Sequence, residues 1–192
     1  MPARARTSRE AILRAAREVL EAGGADALTM QAVAERVGVR APSLYKHVPD
    51  RAGLVRAVVG DVMADLVRAL AIARPSADAR DDLRRVARRY RAFVRANPTG
   101  YGLLFSVPSS TSAIDEAALA ELGRPIVMAT ARLVGDDEAL PVARTIVAWA
   151  HGFVSMELAG AFRLGGDLEA AYATGLEVIL SGISGRVTPP TS

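Results

Sequence analysis

Leu54, Val55, Val58, Val59, Val62, Met63, Leu66, Val67 and Leu70 recur at spacings of one, three and four residues through a stretch without proline. That pattern puts all nine on one wide face of a helix and on no single face of a strand. The stripe predicts a helix over 51–73, roughly 34 Å long at 1.5 Å per residue. Asp50 stands ready to cap it, and "ARPSAD" at 73–78 breaks it. A helix of that length can touch one packed unit at its start and another at its end.

The same period runs through most of the chain. Residues 8–22 put Ile12, Leu13, Ala16, Val19 and Leu20 on one side, with Thr7 and Glu10 at capping-box spacing and "AGG" as the stop. Residues 78–96 set Leu83, Val86, Tyr90, Phe93 and Val94 against Arg84, Arg88, Arg91 and Arg95, which read as a solvated face. "NPTG" at 97–100 reads as a turn before a short helix, and "VPSSTS" at 107–112 as a loop. Further helices are predicted over 113–134, 138–163 and 167–183. No strand alternation, internal repeat or glycine-rich phosphate loop occurs. The expectation is an all-α fold. An N-terminal three-helix helix-turn-helix domain takes residues 1–52, behind a flexible basic arm. A C-terminal helical-bundle domain takes 53–186, and 187–192 form a disordered tail.

Composition narrows the chemistry. The chain has no cysteine, two histidines and no carboxylates grouped at metal spacing. A helical-bundle enzyme therefore has nothing to start from, and no catalytic residue, metal or cofactor is expected. The first ten residues lack the apolar core of a secretory signal, and no apolar run reaches the roughly 18 residues of a spanning helix, so a cytoplasmic protein without membrane partners is expected. Charge is uneven. Residues 1–60 carry ten Lys and Arg against six Asp and Glu, while the remainder carries fourteen against fifteen. A basic front on a near-neutral body points to an anionic partner for the front.

The front has the layout of a helix-turn-helix, in which the second helix of the pair enters the major groove of DNA. Thr29 opens a helix with Val33 and Val37 inward, and Gly38 makes the turn. Pro42 starts a short third helix that ends at Val48-Pro49. Leu44 anchors that helix inward. Arg40, Ala41, Ser43 and Lys46 face out, with Tyr45, His47 and Arg51 in reach of phosphates. Thr29 and the amides that open its helix can hold another phosphate. Ala41 and Pro42 can offer at most apolar contact to a thymine methyl. His47 as a plain helix-end cap, and the arm Arg4, Arg6 and Arg9 as solvated rather than minor-groove residues, are the competing readings.

"LTMQAVAERVGVRAPSLYKHVPDRAGLV" resembles the DNA-binding domain of the tetracycline-repressor (TetR) family of bacterial regulators. The matching positions are Thr29, Ala34, Gly38, Val39, Leu44, Tyr45, His47, Val48, Arg51 and Leu54. By the same resemblance Gln31 is a candidate base reader. The resemblance implies a homodimeric, ligand-responsive transcriptional repressor that binds a palindromic double-stranded DNA operator and is released by a small-molecule effector. A ligand-independent architectural DNA-binding protein is the alternative. "AWAHGFVSMELAG" is similar to the Trp-His-Gly element of one C-terminal subclass, at Trp149, His151 and Gly152. The family's last two long helices pair with their symmetry mates. Ala148, Gly152 and Gly160 offer small residues for that contact, and Leu168, Tyr172, Leu176 and Ile179 an apolar seam.

Candidates for an effector site are Tyr90, Phe93, Tyr101, Phe105, Met128, Trp149, His151, Phe153 and Met156, against the alternative of plain core. Glu157 is the carboxylate expected to face inward, where it would bind a cationic ligand or cap a polar neighbour.

Overall fold

The computed structural model describes residues 8–106 and 116–184, and every described element is helical. The α-helices are α1 (Arg9–Ala27), α2 (Met30–Val37), α3 (Arg51–Leu70), α4 (Ala79–Ala96), α5 (Pro98–Ser106), α6 (Glu116–Val134), α7 (Asp136–Leu158) and α8 (Leu168–Ser184), with a 3-10 turn at Ala41–Ser43 between α2 and α3. The all-α expectation holds.

The chain divides into two packed units. One runs to Asp65 and resumes from Asn97 into the start of α6; the other takes Leu66–Ala96 and continues from Leu119. This partition does not coincide with a division at residue 52. Most of α3 belongs with the first unit because its face carrying Leu54, Val58 and Val62 is fully buried there. Its last turn, Leu66–Leu70, belongs with the second.

In the first unit, Ile12, Ala16, Leu20, Leu28, Val33 and Leu44 complete the core. The cap of α1 is Ser8, whose hydroxyl accepts from Ala11 N–H at 3.1 Å. Thr7, expected in that role, lies outside the described residues. Gly24 breaks α1 as expected, at φ 76°, but the chain coils on to Ala27 before Leu28 turns it. "NPTG" proves to be the start of a helix rather than a turn. Pro98 opens α5, where a missing N–H costs nothing. The carboxylate of Glu21 on α1 accepts from Gly100 N–H at 2.8 Å and Thr99 N–H at 3.3 Å, so an acidic side chain caps this helix from another one. Arg17, also on α1, pairs with Asp61 and Asp65 on α3 and donates to the Asn97 side chain at 2.7 Å.

In the second unit, Leu83, Val86, Val94, Ile126, Ile146, Val154, Leu176 and Leu180 are buried. α7 is shorter than predicted. The chain leaves it at Ala159, and Gly160 turns with φ 63°, so residues 159–167 connect α7 to α8 outside any helix. The tail 187–192 lies outside the described residues.

Candidate nucleic-acid interface and apolar pocket

The helix-turn-helix is built by local signals. Thr29 Oγ1 accepts from Ala32 N–H at 3.1 Å and starts α2. Gly38 sits in the left-handed region, at φ 80° and ψ 33°, and its N–H reaches the Ala34 and Glu35 carbonyls. The expected third helix is a 3-10 turn that carries on as hydrogen-bonded turns. Ser43 N–H donates to Arg40 O, Leu44 N–H to Ala41 O, and both His47 and Val48 N–H to Leu44 O. Pro42 and Pro49 leave room for only about seven residues, too few to settle into a regular α-helix. Leu44 and Val48 hold this element to the core at 0% and 3% exposure. Asp50 closes it by accepting Gly53 N–H at 2.6 Å. Gly53 is required there, since a Cβ would stand 2.8 Å from Pro49 Cδ.

The outward side is polar and basic. Thr29, Gln31, Arg40, Pro42, Tyr45, Lys46, His47 and Arg51 are exposed, and Ala41 and Ser43 half-buried. The Tyr45 ring is 53% exposed although it is the largest apolar group on the element. Two side chains have internal duties. Gln31 donates from Nε2 to Glu35 at 2.6 Å. Arg51 donates from Nε to Leu28 O at 2.9 Å and from Nη2 to Ala25 O at 2.8 Å. Both carbonyls lie at the end of α1, where a helix leaves its last carbonyls short of partners, and Ala25 O also accepts Leu28 N–H at 3.3 Å. Arg51 thus closes the end of α1 from the start of α3, a role with no local signature in the sequence.

In the second unit the predicted effector residues do not converge. Trp149 stacks on Tyr172 with ring centroids 4.8 Å apart, and Phe153 packs edge-on to Tyr172 at 5.1 Å and against Phe162 at 4.8 Å. Tyr172 donates its hydroxyl to Ala87 O at 3.1 Å. Gly175 makes space for Trp149, because a Cβ there would lie 2.7 Å from the indole. Tyr172 and Leu176, expected on a seam between subunits, are 2% and 4% exposed and belong to the chain's own core. Ala148 and Gly160 are exposed, and Gly152, Leu168 and Ile179 half-buried. Tyr101 and Phe105 pack on each other at 5.1 Å in the first unit. Met128 and Met156 are exposed, while Phe93 and His151 are half-buried.

The inward carboxylate has a partner. Arg91, expected on a solvated face, is 4% exposed and grips Glu157 with two hydrogen bonds of 2.8 Å. It also pairs with Glu169 and lies over the Tyr172 ring, 5.3 Å from its centroid. The hydrogen bond to Glu157 raises the pKa of Arg91 above its ordinary value, against the opposing effect of burial. A carboxylate so paired offers no free charge to a cationic ligand. Arg84 likewise pairs with Glu177 and Asp81.

Nearby is a pocket of about 250 Å³. α4 contributes Leu83, Val86 and Tyr90, α6 contributes Gly123 and Ile126, and α7 contributes Ile146. Leu70, at the end of α3, also lines it. Tyr90 is the one predicted effector residue found there. A separate hollow of about 360 Å³ beside Met128 has charged walls that include Asp82, Glu121, Arg124 and Arg132. Among the described residues no group of three or more potential ligands could hold a metal, and no helix is long and apolar enough to cross a membrane.

Comparison with known proteins assigns both halves. Residues 12–58 match the family model "Bacterial regulatory proteins, tetR family", and residues 83–179 match "Tetracyclin repressor-like, C-terminal domain". An uncharacterised HTH-type transcriptional regulator of Mycobacterium tuberculosis is 31% identical over 159 residues, which cover 81% of this chain and 72% of that protein. The fold is similar to that of a TetR variant from Acinetobacter baumannii in complex with minocycline, with TM-score 0.71, 20% identity, and coverage of 96% of this chain and 100% of the other. It is also similar to that of BioQ with its natural double-stranded DNA operator, with TM-score 0.67, 21% identity, and coverage of 94% and 99%. At these identities the likeness is one of fold.

Proposed function

Because the chain belongs to the tetR family and is a helix-turn-helix transcriptional regulator, we propose that it represses transcription as a homodimer on a palindromic operator and lets go when a small molecule enters its C-terminal domain. The observation that carries this reading is helix α3. Its first residue, Arg51, ties down the end of α1, and its last, Leu70, lines the apolar pocket. One helix thus begins at the anchorage of the DNA-reading element in the first unit and ends at the wall of a ligand-sized hollow in the second.

On this reading Arg40, Ser43, Tyr45, Lys46 and His47 meet the duplex, with Thr29 and Gln31 at the edge. Two such elements must sit about one DNA turn apart, near 34–36 Å or a multiple of it. A ligand that binds better to a differently spaced dimer shifts the population toward it and weakens operator binding. The BioQ–operator and TetR–minocycline complexes support the two halves of the reading by analogy of fold. The exposed Ala148 and Val178, with half-buried Gly152 and Ile179, are the surface we assign to the homodimer. Trp149, His151 and Gly152 support membership of the Trp-His-Gly subclass. The protein works in the cytoplasm, needs no cofactor and catalyses no reaction.

Gel shifts on DNA flanking the protein's own gene test the reading. A discrete complex is expected, and changing Tyr45 and Lys46 together to Ala should abolish it. A complex that survives the double change would sink this placement of the DNA-reading element.

A further inference from the structure

We infer that the pocket between α4, α6 and α7 takes an uncharged, largely hydrocarbon molecule of one to two rings. Its role as the effector rests on the repressor reading above; the ligand chemistry rests on the pocket itself.

The walls decide the charge. No ionisable carboxylate, guanidinium or imidazole is among the lining side chains, and Tyr90 brings the one hydroxyl. Burying an isolated ion against such walls is strongly unfavourable. Glu157, the inward carboxylate of α7, is already held by Arg91 at 2.8 Å through both oxygens. A cation entering here would find no counter-charge among the lining side chains, and an anion would find no cation there.

The volume decides the size. An engineered cavity of about 150 Å³ holds benzene, and drug-sized ligands occupy roughly 300–1,000 Å³. At about 250 Å³ the pocket falls between the two. That suits a substituted single ring or two fused rings, and it is too small and too apolar for a four-ring, many-hydroxyl compound such as minocycline. Leu119 and Val147 belong to the lining and are 54% and 47% exposed, so the pocket reaches the surface.

Gly123 gives the inference a handle. It lies inside α6 on the pocket wall, and a Cβ built there meets nothing within 4 Å. A side chain at this position would grow into the open space. Leucine is also a better helix former than glycine, so Gly123→Leu fills the pocket without weakening α6.

The test is calorimetric titration of the full chain with three compounds that share one ring system: neutral 2-naphthol, anionic 2-naphthoate and cationic 2-naphthylmethylammonium. 2-Naphthol should bind, and each ion should bind at least about a hundredfold more weakly. Gly123→Leu should weaken 2-naphthol at least about tenfold, with no fall in melting temperature. Failure of 2-naphthol to bind, equal binding of either ion, or a Kd unchanged by Gly123→Leu would overturn the inference.

Release of flanking promoter DNA, followed by fluorescence anisotropy, separates the two claims. If 2-naphthol binds in a Gly123→Leu-sensitive way but leaves DNA binding unchanged, the ligand chemistry stands and the effector role falls. If a charged compound releases DNA from both wild type and Gly123→Leu, the repressor reading stands and this inference falls.

Discussion

Arg40 and Arg51 of the first unit and Arg91 of the second are used in opposite ways. In the first, Arg51 reaches backbone carbonyls at an exposed helix end, and Arg40 stands outside the core on the polar side of the DNA-reading element. In the second, Arg91 is driven inside and pairs with Glu157 beneath an aromatic cluster. The difference fits the roles proposed for the two regions. A surface that meets a polyanion needs mobile, hydrated cations, whose worth comes from releasing counterions. A ligand site in a helical body needs its charges neutralised and tied away from the pocket, so that an apolar wall remains. Arginine abundance alone therefore says little about where a nucleic-acid surface lies.

Breaking the buried pair should have the largest effect. Arg91→Ala leaves the buried Glu157 to the more distant Arg95, at 3.7 Å, and Glu169 without Arg91, and should lower stability by about 3 kcal/mol, read by urea denaturation. A loss below about 1 kcal/mol would show that the pair is solvated and that Arg91 does not differ from the exposed arginines of the first unit. Next in size is Gly175→Ala. Its Cβ would stand 2.7 Å from the Trp149 indole, and overpacking of this kind costs about 1–3 kcal/mol, more than the gain in helix propensity. Indole fluorescence should shift along with the melting temperature.

Arg51→Ala sharpens the comparison from the other side. Two charge-assisted bonds to carbonyls are lost at a partly exposed site, at a cost of about 1–2 kcal/mol of stability in the absence of DNA. An unchanged melting temperature with weakened DNA binding would restore Arg51 to a purely phosphate-contacting role.

The smallest effect belongs to the exposed Arg84–Glu177 pair. Arg84 hydrogen-bonds Glu177 and holds the pKa of its carboxyl below the ordinary carboxylate value. A depressed folded pKa means that the contribution is complete above that value and is lost as pH falls through the folded one. Glu177→Gln should cost at most about 1 kcal/mol at pH 7, and the difference from wild type should fade under acid and at high salt. A difference that grew on acidification would contradict the assignment.

What the sequence revealed divides along the same line. Thr29, Gly38, Leu44 and Asp50 were legible because each acts on residues within a few positions of itself. The basic, exposed face of residues 40–47 followed from them. Periodicity also found α4, but it could not tell which charged position on that helix would be covered. Arg91 meets Glu157 and Glu169, 66 and 78 residues away. Arg51 meets carbonyls 23 and 26 residues back, at the end of α1, and nothing local to either partner announces the contact. Tyr172 looked like half of an outward seam because its helix has apolar residues on more than one side, and only the position of Trp149 assigns it inward. The pocket was illegible for the same reason. Residues from four helices, spread from Leu70 to Ala150, make it, and its most informative member is a glycine.

The measurement that bears most directly on the central claim is the salt dependence of DNA affinity. If the exposed basic element grips phosphates, log K should fall steeply and linearly with log salt, by orders of magnitude between about 50 and 200 mM. Lys46→Ala should lower the magnitude of that slope by about 2 in a dimer, one contact for each protomer. An affinity that does not change with salt, or a slope unchanged in Lys46→Ala, would contradict a DNA-binding role for this surface.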